Sequence, residues 1–175
     1  MILSRRSVLR IGGGILAALP LGVVRAWGAE PVDITMSGNA DGSRVWFEPI
    51  GLLIRPGQTV RWTNRDPGNS HTTTAYHPDN DGHPLRIPVG ARSWNSDYLL
   101  PDESFEAVLS EPGVYDYYCI PHEHAGMVGR LIVAEEGAPV PDGPSGSPIE
   151  GLEADPFPPV EEITRQGRVL RPGPS

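Results

Sequence analysis

The sequence predicts an all-β fold, an antiparallel β-sandwich or barrel. Several short stretches alternate apolar and polar residues. Pro-Gly pairs at 56–57 and 112–113 separate them, and no stretch keeps a long helical period. The segment Val32 to Gly38, VDITMSG, alternates like a strand. Arg44 to Asp66 reads as two or three strands around the turn at Pro56-Gly57, with Val60 and Trp62 on one face. From Pro67 to Pro101 the pattern weakens to Gly, Asn, Asp, Pro and His, which reads as long loops with one short helix, anchored by Trp94. Order returns at Phe105, Ala107 and Leu109, which share one parity. Tyr115, Tyr117 and Cys119 share one face of the next strand, and Gly129 to Glu135 forms the last strand.

The ends differ in composition. Ser4 to Arg10, SRRSVLR, precedes an apolar, Gly-rich run from Ile11 to Val24, and this resembles a twin-arginine signal peptide. About 14 apolar residues fall short of the roughly 20 a spanning helix needs. The expectation is therefore an exported, periplasmic protein with a signal at 1–29, no stable membrane insertion after processing, and cleavage near Ala26 or Ala29. Residues 30–135 form the domain. Residues 136–175 contain nine prolines and few aromatics, and read as an acidic Pro/Gly-rich tail, expected to be disordered. A short helix or strap over PVEEITRQGRVLRP is the alternative.

Charge narrows the classes of partner. The chain carries a net charge of -8 and contains no Lys. Removing residues 1–29 leaves ten Arg against 22 acidic residues. Nucleic acid is a poor fit, because its phosphates require cations. Basic protein surfaces suit such a chain better.

The chemistry concentrates in YYCIPHEHAGMVG, residues 117–129, which holds the sole cysteine. One cysteine in a disulfide-permissive compartment forms no internal bridge. Cys119 is followed by His122 and Met127, so a thiolate, an imidazole and a thioether share one short loop. A further imidazole from elsewhere would complete two His, one Cys and a distant Met, the ligand signature of a blue copper site. His71 and His77 are both candidates for that imidazole, and His124 is the rival to His122. A buried structural thiol would leave the recurring His and Met unexplained.

The stretch GVYDYYCIPHEHAGMVGRLIV resembles the C-terminal strand-loop-strand of the plastocyanin and pseudoazurin family of cupredoxins. LLPDESFEAVLSEPGVY resembles that family's approach to the loop, and VRWTNRDPGNSHTT its other copper-binding segment. The resemblance covers roughly residues 33–135. It implies a Greek-key β-sandwich binding one type 1 copper through His71, Cys119, His122 and Met127. It also implies a backbone amide, here that of Thr72, directed at the sulfur, with Asn64 in support.

The function so implied is one-electron transfer between redox partner proteins by a monomer that is not itself an enzyme. Contact would be transient, near His122, within an apolar rim of Pro121, Ala125, Gly126 and Val128. Tyr118 has the opposite parity to Cys119 and is expected to face outward, offering a second electron route. Trp62 and Tyr117 belong to the core. His83 and His124 are expected as solvated surface residues, with Glu123 and His124 as candidates to tune the potential or touch the partner. The alternative function is a periplasmic copper chaperone or store. Its usual Met- or His-rich composition is missing, since only Met36 and Met127 lie beyond the initiator. A multicopper enzyme would need more than five histidines.

Overall fold

The structure is a computed structural model describing residues 30–135, 137–140, 149, 151–152 and 156–171. The signal-like segment, residues 1–29, lies outside the described residues. Nine strands and one α-helix are described, besides a 3₁₀ helix at Ile120–Ala125: β1 (Val32–Gly38), β2 (Val45–Glu48), β3 (Gly51–Ile54), β4 (Gln58–Asn64), β5 (Thr74–Ala75), β6 (Ser104–Leu109), β7 (Gly113–Tyr118), β8 (Val128–Val133), α1 (Val160–Gln166) and β9 (Arg168–Val169). They build two sheets, ordered β2-β1-β4-β6 and β5-β7-β8-β3-β9. The all-β sandwich expected from the sequence is present.

The sheets are mixed rather than antiparallel. β1 runs parallel to β4 and β3 parallel to β8, while the other pairings are antiparallel. Alternation of period two is identical for both pairings, so the sequence pattern does not distinguish them.

The core between the sheets joins Ile34, Met36, Phe47, Val60 and Trp62 to Leu52, Tyr115, Tyr117, Leu131 and Val133. Trp62 is its aromatic centre, with ring centroids 5.7 Å from Trp94 and 5.6 Å from Tyr117. Tyr117 in turn lies against Gly129 on β8, where a Cβ would collide with the phenol ring. Burial of large aromatics of this kind supplies much of a small sandwich's stability.

The segment between β5 and β6 contains no helix among the described residues. It folds back along the chain before it. His71 and Leu99 exchange both backbone hydrogen bonds, at 3.1 and 2.8 Å, and the Ala75 N–H donates to the Trp94 carbonyl at 3.0 Å. Trp94 is the anchor expected of it, and its indole N–H donates to Thr73 Oγ1 at 3.2 Å.

The described parts of the C-terminal segment are packed, which corrects the expectation of a disordered tail. β9 pairs with β3 through Gly51–Val169 and Leu52–Arg168. Ile163 of α1 is fully buried with Val114, Ile132, Ala134 and Val169. Gly51 leaves room for it, since a Cβ there would lie 2.7 Å from Ile163 Cγ1. Phe157 packs against the guanidinium groups of Arg86 and Arg130, which lie 5.0 and 4.9 Å from its ring centroid. Both arginines pair with the fully buried Asp116, at 2.8 and 2.7 Å. Charges so buried persist because each is hydrogen-bonded and paired.

Tyr118 is therefore not outward-facing. It is 1% exposed, covered by Tyr76, Ile149 and Phe157. Val128, expected in an exposed rim, is buried in the same cluster. Parity did place Tyr118 opposite Cys119. The covering segment was the part parity could not show.

Ile163→Ala is expected to cost about 2–5 kcal/mol of unfolding free energy, the range for deleting a fully buried aliphatic side chain. Urea denaturation of the full chain measures this. An unchanged midpoint would mean that α1 is not docked on the sheet.

Candidate metal centre

Two loops at one end of the sandwich carry the site. The first follows β4. Asn64 ends that strand fully buried, and its side-chain amide donates to the carbonyls of Asn69 and Leu99, each at 2.9 Å. Its Oδ1 accepts the Asp66 N–H at 2.9 Å. Asn64 thus shapes the turn that delivers His71, consistent with the supporting role expected of it.

The second loop follows β7. Ile120–Ala125 form a 3₁₀ turn with Pro121 near its start, closed by Gly126 at φ 78°. Only a residue tolerant of the left-handed region turns the chain there without strain. The closure is tight: the Cys119 N–H donates to the Met127 carbonyl at 3.0 Å, the His122 N–H to the Cys119 carbonyl at 3.0 Å, and the Met127 N–H to the His122 carbonyl at 3.1 Å. The spacing Cys119, His122, Met127 is therefore the spacing of one compact turn, and Met127 is fully buried within it.

Three donor atoms converge between the loops. His71 Nδ1 and His122 Nδ1 are 3.1 Å apart, and Cys119 Sγ lies 3.6 and 3.4 Å from them. All three donors lie within 4.8 Å of one another, so one metal ion could bind to them together. Of the sequence candidates, the structure brings His71 and His122 to Cys119, and leaves the rivals apart. His77 Nδ1 lies 3.3 Å from Asp79 Oδ2. His124 is exposed and packs against Gly151, where a Cβ would lie 2.6 Å from its ring.

The electrostatics suit a metal ligand set. Burial, and for His122 also the neighbouring His71, holds both imidazoles below their usual range, the His71–Asp66 hydrogen bond opposing only in part. Both rings are thus neutral near neutral pH, with lone pairs to offer. Burial pushes the Cys119 thiol up to about 11, against hydrogen bonds from Thr72 and His122. A cation entering the triangle would displace that proton and stabilise the thiolate. The Thr72 N–H donates to Cys119 Sγ at 3.3 Å, the contact expected of it.

Sequence reasoning missed one neighbour of the site and misplaced another. Asp66, 2% exposed, places Oδ2 3.1 Å from His71 Nε2. Glu123, expected to tune the potential or touch a partner, turns inward, and its Oε1 accepts the Tyr76 hydroxyl at 2.7 Å. His83 is likewise not a freely solvated histidine: its ring lies 4.5 Å from Tyr118, and its Nε2 3.6 Å from Glu123 Oε2. A carboxylate among turn-forming residues gives no sequence signal of such a role.

A family model described as copper binding proteins of the plastocyanin/azurin family matches residues 34–134. The chain belongs to that family. Its cofactor is copper, and the family is one of electron carriers. The chain is 40% identical over 95 residues to chloroplastic plastocyanin from Tetradesmus obliquus, covering 54% of this cupredoxin and 62% of that protein. It is 35% identical over 127 residues to chloroplastic plastocyanin from Chlamydomonas reinhardtii, covering 72% and 81%. Among solved structures it is similar to a purple cupredoxin from Nitrosopumilus maritimus, at 29% identity and a TM-score of 0.43, covering 59% of this chain and 99% of that one.

Thr72 also accepts the Ile120 N–H on its hydroxyl at 2.8 Å. Thr72→Val keeps the shape and removes the acceptor. It is expected to cost about 1–3 kcal/mol, because a half-buried donor loses its partner. Urea unfolding of the copper-free protein checks this, and a neutral result would mean that Ile120 finds another acceptor.

Proposed function

We propose that this cupredoxin is an exported one-electron carrier holding a single type 1 copper through His71, Cys119, His122 and Met127. The converging triangle of His71 Nδ1, Cys119 Sγ and His122 Nδ1 carries the reading. Copper, when bound, supplies a Cu(II)/Cu(I) couple. Cys119 offers a thiolate and Met127 a thioether, soft donors that suit Cu(I), while the imidazoles suit both states. Among the described residues these His and Cys donors lie within 4.8 Å of one another. The turn that closes the second loop is bonded throughout by its own backbone, so little of it is free to rearrange between oxidation states. Met127 sits in that turn with its main chain bonded to Cys119 and His122.

The protein's own residues also limit access. His71, Cys119 and Met127 are each fully buried, and only His122 is partly exposed. His122 is therefore the contact point for a redox partner, within a rim that includes the exposed Pro121 and Ala125. A site this enclosed suits electron transfer better than copper delivery, which needs an open ligand set. The protein performs no bond chemistry of its own. It acts as a monomer in brief contacts with donor and acceptor proteins. Export rests on the SRRSVLR motif.

Purified protein lacking the signal, given Cu(II), is expected to show an intense thiolate-to-copper absorption band in the visible. Ascorbate should bleach it reversibly, and Cys119→Ser should abolish it. A colourless or pale copper complex would overturn the carrier reading in favour of copper handling.

A further inference from the structure

We propose that Asp66 is a positioning residue for His71: its buried carboxylate commits His71 to binding copper through Nδ1 and lowers the reduction potential of the site. The inference rests on the reading of His71 as a copper ligand. Its basis is a carboxylate that the fold goes to some length to bury. Asp66 is 2% exposed, and its charge has to be compensated locally.

The compensation is specific. Oδ1 accepts the Gly68 N–H at 2.9 Å, and Oδ2 accepts the Asn69 side-chain amide at 2.8 Å and faces His71 Nε2 at 3.1 Å. These three partners compensate the carboxylate where water does not reach it. The space is also reserved. Gly38, at the end of β1, lies against the carboxylate, and any Cβ there would collide with Oδ2. The Arg65 N–H donates to the Met36 carbonyl at 2.8 Å, which fixes the backbone just before Asp66.

An ionised carboxylate only accepts hydrogen bonds. The proton on His71 must then sit on Nε2, leaving the Nδ1 lone pair directed at Cys119 and His122. A partner on the second ring nitrogen is the general means of fixing a ligand histidine's tautomer and raising its basicity. A carboxylate adds a full negative charge. In a site shielded from solvent, that charge favours the more positive metal state over the less positive one. Asp66 therefore favours Cu(II), which lowers the potential.

Two substitutions separate this from a purely structural role. Asp66→Asn removes the charge and should raise the midpoint potential while the blue band remains. Asn69→Ala removes a donor that competes with His71 for Oδ2, and should lower the potential. A loss of stability alone does not move the potential in opposite directions. Potentiometric titration of the copper-loaded proteins reads both shifts. Long-range proton–nitrogen correlation spectra of the copper-free wild type should show His71 protonated on Nε2.

Equal potentials in wild type and Asp66→Asn would overturn the proposal, as would an Nδ1-protonated His71 in the copper-free protein. If Asp66→Asn does not fold, Asn69→Ala decides, and an unlowered potential overturns the proposal. A wild type with no blue band would overturn the carrier reading and the potential effect together. A blue wild type with unshifted variants overturns only the role of Asp66.

Discussion

The site depends on a joint at Thr72. Its N–H reaches Cys119 Sγ and its hydroxyl holds the Ile120 N–H, at 3.3 and 2.8 Å. One contact would fix a distance between the loops. Two contacts, on consecutive residues of the second loop, also fix their relative angle. The joint is the last step of a sheet, since β5 meets β7 through Thr74 and Tyr118 just beyond it. His71 precedes Thr72 and His122 follows Ile120 by two residues. The separation of the two Nδ1 atoms is thus inherited from pairing between segments 47 residues apart. Backbone and Thr72 hydrogen bonds hold the two loops together.

How much of this was legible depended on how local each feature is. Cys119, His122 and Met127 lie in one turn, so their spacing carried the chemistry directly. His71 was a candidate by resemblance, and spacing alone left His77 open. The His71–Leu99 pairing that positions it spans a segment whose composition reads as loop. Asp66 was invisible for a different reason. In DPGN an acidic residue reads as a turn former, and its carboxylate does bond the Gly68 N–H two residues on. Its third bond, to His71, appears only once the turn is built. The parallel pairings of β1 with β4 and β3 with β8 were equally unreadable, because they come from chain crossings and not from local pattern.

The C-terminal segment was misread through composition. Pro-rich, acidic chain ordinarily cannot bury enough surface to fold alone. Here it does not fold alone. Its described parts lie on a sheet face already apolar, where Val114, Tyr118, Val128 and Ile132 await a cover. The signal was in β7 and β8. Both are buried at every position, and VGRLIV lacks the clean alternation of a strand with one wet face. Asp116 and Arg130, opposite each other in that register, mark where the covering segment meets charge. Arg130 reaches past Asp116 to the Pro158 carbonyl at 3.0 Å, so one side chain links the sheet to its cover.

That cover changes what the metal site presents to the outside. With Tyr118 buried, the strand leading to Cys119 offers no exposed aromatic on its outer face, and His122 is the proposed ligand that reaches the surface. Glu123 turns its carboxylate inward, to the Tyr76 hydroxyl. Burial and the bond to Glu123 push the Tyr76 hydroxyl far above its usual range, so Tyr76 remains the donor. The rim beside His122 is thereby spared a carboxylate that the sequence had placed there. The same bond ties the loop to the cover, because Tyr76 packs against Tyr118 and Phe157, with centroids 4.5 and 5.9 Å away. His124, against Gly151, makes a second tie. The cover and the second loop therefore share one set of contacts, through Glu123 and His124. A displacement of Phe157 would reach Glu123 through Tyr76, and Glu123 is the residue next to His122.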